Sequence, residues 1–196
     1  MTSRFTRGPS SPEAPLLFSI LHAVAAELGK AQGRVYTLAL VYEMRYRSEG
    51  FARMTLSDYF ESIVAAAVES GRPGAARLRY GIDVEQVELD VDRTAICGLI
   101  VNELVDNVVK HAFAGSRGVY FSLNLRRVEG GSRALLVQDE GSPEGPAVDG
   151  AAPMSGPFRR GGIGLRLVEV LVKQLVGEMR IERGSGTRVE VVFPLV

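Results

Sequence analysis

Four short stretches hold the groups able to do chemistry. The first, "VNELVDNVVKHAF" over residues 101–113, sets Glu103, Asn107, Lys110 and His111 among valines and leucines. At the helical period of about 3.6, Glu103 and Asn107 stack on one face, and Lys110 and His111 continue it one turn later. Leu104, Val108 and Ala112 turn progressively to the other side. A carboxylate can orient or deprotonate a nucleophile, and an amide oxygen can ligate a hard cation such as Mg2+. An ammonium and an imidazole can meet phosphate oxygens. The same spacing also suits a half-exposed helix whose polar stripe is merely solvated.

The second stretch, "LLVQDEGSPEG", ends an apolar strand on Asp139, with Gly141 two residues on. A carboxylate there suits a donor such as an exocyclic amine, or serves an ordinary strand-ending turn. The third, "RRGGIGLRLVEVL", runs Gly161, Gly162 and Gly164 into a helix. Unhindered N–H groups at a positive helix end make an anion site, although hinges also use glycine. It is not a P-loop, because the Lys-Ser/Thr pair is missing. In the fourth, "GSGTRVEVVFP", Thr187 offers a hydroxyl or simply fits a strand.

These groups need elements to position them. Residues 1–15 are rich in Ser, Pro and Arg and are expected to be a flexible lead-in. Residues 16–47 are helical in pattern, with apolar stripes through Leu17, Leu21, Val24 and Leu28, then Val35, Leu38, Val41, Tyr42 and Tyr46. Gly29 and Gly33 predict a break between the two runs. A helix follows at "TLSDYFESIVAAAVES", capped by Thr55 or Ser57. Two extended segments, "ARLRYGID" and "EQVELD", lead to a long helix over 93–113 with Asp92 as N-cap. Two strands joined at "VEGGS", the helix "GLRLVEVLVKQLV" and a closing hairpin complete the order. Helix, two strands, three times over, predicts an α+β fold with helices layered on one face of a mostly antiparallel sheet. Residues 140–162, rich in Gly, Pro, Ser and Ala, form a loop long enough to imply function.

With 196 residues, 23 Lys plus Arg and 23 Asp plus Glu, the chain has no net charge and lacks the basic field of a general nucleic-acid binder. Its one cysteine, Cys97, lies in the apolar "AICGLI" and is expected to be buried. Neither a membrane-length apolar run nor a signal peptide is present, so a cytoplasmic location is expected.

In this order the four stretches resemble the GHKL ATPases, the superfamily of gyrase, Hsp90, MutL and the sensor histidine kinases. "NELVDNVVKHAF" is similar to the N box, "DEGSPEG" and "GGIGL" to the two glycine boxes, and "GSGT" to the last ATP-site element. The likeness spans residues 55–196 and is greatest to histidine kinases of the HWE type. "RVYTLALVYEMRYRSEGFARMTLSDYF" resembles the second helix of their dimerisation hairpin and its link. The resemblance implies a two-layer Bergerat fold over 51–196, preceded by a hairpin-like helical region over 16–50. It implies ATP and Mg2+ as ligands. Glu103 takes the general-base or orienting position, Asn107 ligates Mg2+, and Lys110 and His111 lie near the phosphates, Lys110 with a catalytic role. Asp139 accepts from adenine N6 with Gly141 beside the base. Gly162, Gly164 and Leu165 hold the phosphate side beneath a lid over 145–160, where Arg159 and Arg160 either meet phosphate or stay solvated, and Thr187 lines the site. Catalysis then rests on positioning and charge neutralisation, with transfer of the γ-phosphoryl group to a histidine. A homodimer through the N-terminal helices and a response-regulator or other signalling partner are further implications.

Two features depart from the family pattern. Pro143 replaces the second Gly of D-x-G-x-G, and no "HRVKNN"-like acceptor stretch occurs. His22 lacks the flanking residues and reads as a packed helix position, which puts the acceptor in a segment outside this sequence or in a partner chain. The rival readings are a serine/threonine kinase of the anti-sigma-factor kind and a degenerate nucleotide-binding or docking module without turnover.

Overall fold

The computed structural model describes residues 13–47, 55–69, 78–111, 120–140, 163–183 and 186–195. In chain order they form α1 (Glu13–Arg47), α2 (Leu56–Glu69), β1 (Arg79–Val84), α3 (Val91–His111), β2 (Tyr120–Arg127), β3 (Arg133–Asp139), α4 (Ile163–Gln174), β4 (Glu178–Arg183) and β5 (Thr187–Phe193). A short 3-10 turn, Glu129–Gly131, joins β2 to β3, with both glycines at positive φ.

The five strands make one sheet in the order β1-β2-β3-β5-β4. Only β1 and β2 run parallel, and α3 is the crossover that a parallel pair requires. The other pairs are antiparallel. The pleat places alternate residues on one face. The row Ile82, Leu123, Val137, Val189 and Ile181 crosses all five strands, and Val84, Leu125, Leu135, Val191 and Met179 run beside it. Both rows belong to the core cluster shared with α2, α3 and α4. The other face is polar: Arg188 pairs with Glu182 and Glu190 at 3.7 and 3.4 Å, beside buried Ala134 and Leu136. The fold is therefore the α+β arrangement the pattern predicts, with the helices on one side of a mixed sheet.

Local chemistry sets the helix ends. Thr55 caps α2 reciprocally: Asp58 N–H donates to Thr55 Oγ1 at 3.1 Å, and Thr55 N–H donates to Asp58 Oδ2 at 2.8 Å. The Thr55 N–H and then its hydroxyl, both donating to Asp58 Oδ2, hold the Asp58 carboxyl below its usual range. After α4, Gly177 lies so close to β5 that a Cβ would sit 2.6 Å from Val192 O. The preceding Val176 takes the positive φ, 54°, that a glycine normally supplies there.

Three local expectations change. First, α1 runs unbroken for 35 residues through Gly29 and Gly33. One glycine costs a helix only about 1 kcal/mol relative to alanine, which packing offsets. Second, "EQVELD" forms no strand. Glu85 N–H takes Leu125 O at 2.8 Å, and the Glu85 carboxylate accepts from Arg127 N–H, so the end of β2 is satisfied without further pairing. Third, the N-cap of α3 is Asp90 rather than Asp92, with its Oδ1 accepting Arg93 N–H at 2.7 Å.

Candidate functional site

α3 lies at the centre of the helical layer, packed against α1, α2 and α4. Its apolar side enters the core through Cys97, Ile100, Val101, Leu104, Val105, Val108 and Val109. Burial pushes the Cys97 thiol up to about 12, leaving a protonated core group rather than a nucleophile.

The polar side is not a solvated stripe. Asn102, Glu103 and Asp106 are buried, Glu103 to 2% exposure, while Asn107 is half-buried. Two contacts explain the burial of Glu103. Arg34 on α1 donates from Nε to Glu103 Oε1 at 2.7 Å. From the other side comes the first turn of α4, where a Cβ on Gly164 would sit 2.5 Å from Glu103 Oε2. Glycine at 164 is thus what lets the carboxylate and the α4 N-terminus share one place. Leu165 beside it is half-buried against the core.

A second meeting point lies at the ends of β3 and β5. Register carries the inner row Leu135, Val137 to Asp139, opposite Phe121. Asp139 Oδ1 accepts the Thr187 N–H at 3.2 Å, so the ends of the second and fourth stretches touch. Lys110 and His111 occupy the last turn of α3. Their side chains, and that of His22 on α1, lie outside the described residues, as do Gly141, Pro143, Gly162 and the expected lid over 145–160 with Arg159 and Arg160. An open cleft of about 850 Å3 between Met44, the start of α2 and residues 84–89 contains none of the candidate site residues.

Arg34 is the residue that sequence reading missed. The strongest hydrophobic signal in α1 is Val35, Leu38 and Tyr42, yet these are exposed, and Val24 and Leu28 with them. The buried face carries Thr37, Leu40 and Val41, with Gly33 and Arg34 on its edge. A small-and-polar stripe at three- and four-residue spacing, Gly33, Arg34, Thr37, Leu40 and Val41, was the available signal.

Known proteins account for this arrangement. The pattern of the family described as "Histidine kinase-like ATPase domain" matches residues 64–193, from within α2 to the last residue of β5. The chain belongs to that family. All five strands, α3 and α4 of this histidine kinase-like ATPase domain lie inside the match, and α1 lies before it. The chain is 27% identical over 178 residues to blue-light-activated histidine kinase 2 of Erythrobacter litoralis, an alignment covering 88% of this chain and 49% of that protein. It therefore spans about half the length of that relative. Its fold is similar to the histidine kinase domain of an Erythrobacter litoralis blue-light-activated histidine kinase, with a TM-score of 0.68 at 24% identity over 92% of this chain and 86% of the other. The Acinetobacter baumannii histidine kinase AdeS gives a TM-score of 0.54 at 20% identity over 94% and 86%. Among the described residues, no helix is long and apolar enough to cross a membrane.

Proposed function

We propose that this histidine kinase-like ATPase domain binds ATP with Mg2+ between α3 and the start of α4, and transfers the γ-phosphoryl group to a histidine in a partner chain or another segment. The observation that carries the reading is the approach of Gly164 to Glu103: a glycine helix start and a carboxylate, on separate helices, share one place. The donor set fits the ligand. Among the described residues no cluster of three His, Cys, Asp or Glu could cage a metal. That suits Mg2+, which is normally held by one or two side chains together with phosphate oxygens. Asn107 is half-buried one turn beyond Glu103 and supplies the amide oxygen.

The reading assigns a role to each residue. Asn107 holds the cation, Glu103 orients the attacking group, and the amide groups around Gly164 meet the phosphates. Lys110 and His111 end the same helix and in this reading meet phosphate oxygens. Asp139 accepts from the exocyclic amine of adenine with Thr187 beside it, and Gly141 and Gly162 extend the two glycine boxes. Bound Mg2+ neutralises charge on the phosphate oxygens during transfer. Residues 51–196 form this unit and residues 16–50 its helical hairpin region, with a response regulator or other signalling protein downstream. The test is a thermal-unfolding titration with MgATP, followed by incubation with γ-labelled ATP and a histidine-bearing partner. A dose-dependent rise in Tm and an acid-labile label support the reading. No rise ends it, and an acid-stable label moves it to serine/threonine transfer.

Asp139→Ala is expected to weaken ATP binding and narrow the preference over GTP. A hydrogen bond to a charged group contributes about 1.5–3 kcal/mol, or roughly ten- to a hundredfold in Kd. Paired ATP and GTP titrations check this, and an unchanged ATP:GTP ratio removes Asp139 from base recognition. Homodimerisation is the second expectation. Val24, Leu28, Val35, Leu38 and Tyr42 stand exposed along one side of α1, a stripe suited to a helical bundle. Analytical ultracentrifugation at micromolar concentration should give a dimer mass, and monomer alone rules it out.

A further inference from the structure

The contact between α1 and Glu103 joins two regions that the sequence keeps apart. Arg34 Nε donates to Glu103 Oε1, and the bond is made next to the other carboxylate oxygen's approach to Gly164. The close passage of the helices is built in beside it. A Cβ at Gly33 would sit 2.9 Å from Asn102 Oδ1, so a larger residue there would have to displace the buried Asn102 amide. One turn on, Thr37 is fully buried, its hydroxyl donating to Gly33 O at 2.8 Å while Tyr59 Oη donates to Thr37 O at 3.1 Å.

Three carboxylates act on Arg34. Glu103, then Glu27 and Asp106, act to hold its guanidinium more firmly protonated. Its Nη2 is buried without a hydrogen-bond partner, which leaves a donor unused. A buried carboxylate that loses its cation is costly, and like charges around it add repulsion. Those carboxylates also oppose the approach of any anion; Lys30 is paired with Glu27, and Arg34 is the cation bonded to Glu103.

We propose that Arg34 is a positioning residue that turns Glu103 toward Gly164 and thereby ties the seat of α1 to occupancy of the phosphate site. The ligand-linked half rests on the ATP reading above, whereas the positioning half does not. Because coupling is reciprocal, a triphosphate bound beside this pair holds α1 more firmly, and a firmly seated α1 favours the triphosphate. The helix that carries the exposed apolar stripe then responds to nucleotide through one ion pair.

Hydrogen exchange on the full chain tests both halves, using Arg34→Met, Arg34→Lys, Glu103→Gln and the Arg34→Met/Glu103→Gln double variant, each with and without MgATP. Without nucleotide, Arg34→Met and Glu103→Gln should each speed exchange over residues 34–41 at least tenfold. The double variant should be no faster than the faster single one. Protection in β3 and β5, read from the same samples, separates local release from global unfolding. With MgATP, residues 34–41 should become more protected in the native chain and in Arg34→Lys, which keeps the charge, but not in Arg34→Met. Its Kd for MgATP should rise at least tenfold, and that of Arg34→Lys less than threefold. Unchanged α1 exchange in Arg34→Met, multiplying effects in the double variant, or a native-like MgATP response in Arg34→Met would overturn the proposal. If MgATP fails to raise the Tm of the native chain, the nucleotide reading falls, and the ligand-free double-variant comparison still decides whether Arg34 positions Glu103.

Discussion

Asn107→Ala is expected to remove the Mg2+-dependent part of nucleotide binding and leave the folded chain otherwise intact. Asn107 is half-buried on α3, and its side chain is not part of the core cluster. Truncation therefore leaves no apolar cavity, and alanine is the better helix former. The unliganded Tm should stay within about 2 °C of the native value, since surface-type changes stay within about 0.5 kcal/mol. Nucleotide binding should respond very differently. A ligand at a hundred times its Kd stabilises by about 2.7 kcal/mol, roughly 5–10 °C of Tm for a chain of this size. With the amide oxygen gone, the same MgATP concentration should give almost none of that rise, and the variant should match the native chain in EDTA. Differential scanning calorimetry across the four combinations of Mg2+ and ATP reads the difference. An Asn107→Ala chain with the full Mg2+-dependent rise would show that the cation is held elsewhere.

The second large effect is structural. Gly98→Ala should destabilise the fold by about 2 kcal/mol, in a helix where alanine is intrinsically favoured. A Cβ at position 98 would overlap Tyr59 Oη and lie 2.5 Å from Cζ and 2.7 Å from Cε1 of the same ring. Tyr59 is fully buried and its hydroxyl is engaged with Thr37 O, so the ring has nowhere to go. Burial also pushes that phenol above its usual range, so it remains a neutral donor. Helix propensity gains about 1 kcal/mol. Overpacking costs about 1–3 kcal/mol, and a strained or lost hydrogen bond about 1 more. The clash wins, and Tm should fall by roughly 4–8 °C. Gly29→Ala is the matched control. Nothing lies within 4 Å of the Cβ it adds, so propensity acts alone and Tm should rise slightly. Tyr59→Phe added to Gly98→Ala should recover part of the loss. Equal Tm values for Gly98→Ala and the native chain would show that the α2–α3 contact is looser than described.

These two outcomes differ in how far each was legible from sequence. Asn107 stands in a spacing that survives any packing arrangement: four residues after Glu103 on a helix, it must share that face. The same holds for the glycine start of α4 and for Asp139 at the end of an apolar strand. The order of helices and strands was readable too, because a period near 3.6 and a period of 2 leave different marks on a chain. Even so, "EQVELD" alternates like a strand and is none, because Leu125 O accepts the Glu85 N–H and the Glu85 carboxylate itself takes the Arg127 N–H at the end of β2. Asp92 was the expected cap, and the entry path of the chain gave that place to Asp90.

What Gly98, Gly33 and Arg34 contact was not legible. A glycine inside a helical pattern marks either a weak point or a close approach, and which it is depends on the neighbour across the gap: Tyr59 for one and Asn102 for the other. Hydrophobicity even pointed to the wrong side of α1, because its most apolar residues are the ones the rest of the chain leaves exposed. The sequence alone determined most of the elements and their order, the family resemblance and the chemistry available on α3, since these follow from periodicity and residue type within a window of a few turns. Only the tertiary structure decided that Glu103 is buried rather than solvated and that its partner is Arg34, 69 residues away. The physical reason is that an ion pair across a helix–helix contact depends on two backbones approaching within side-chain reach, a distance that neither segment encodes by itself.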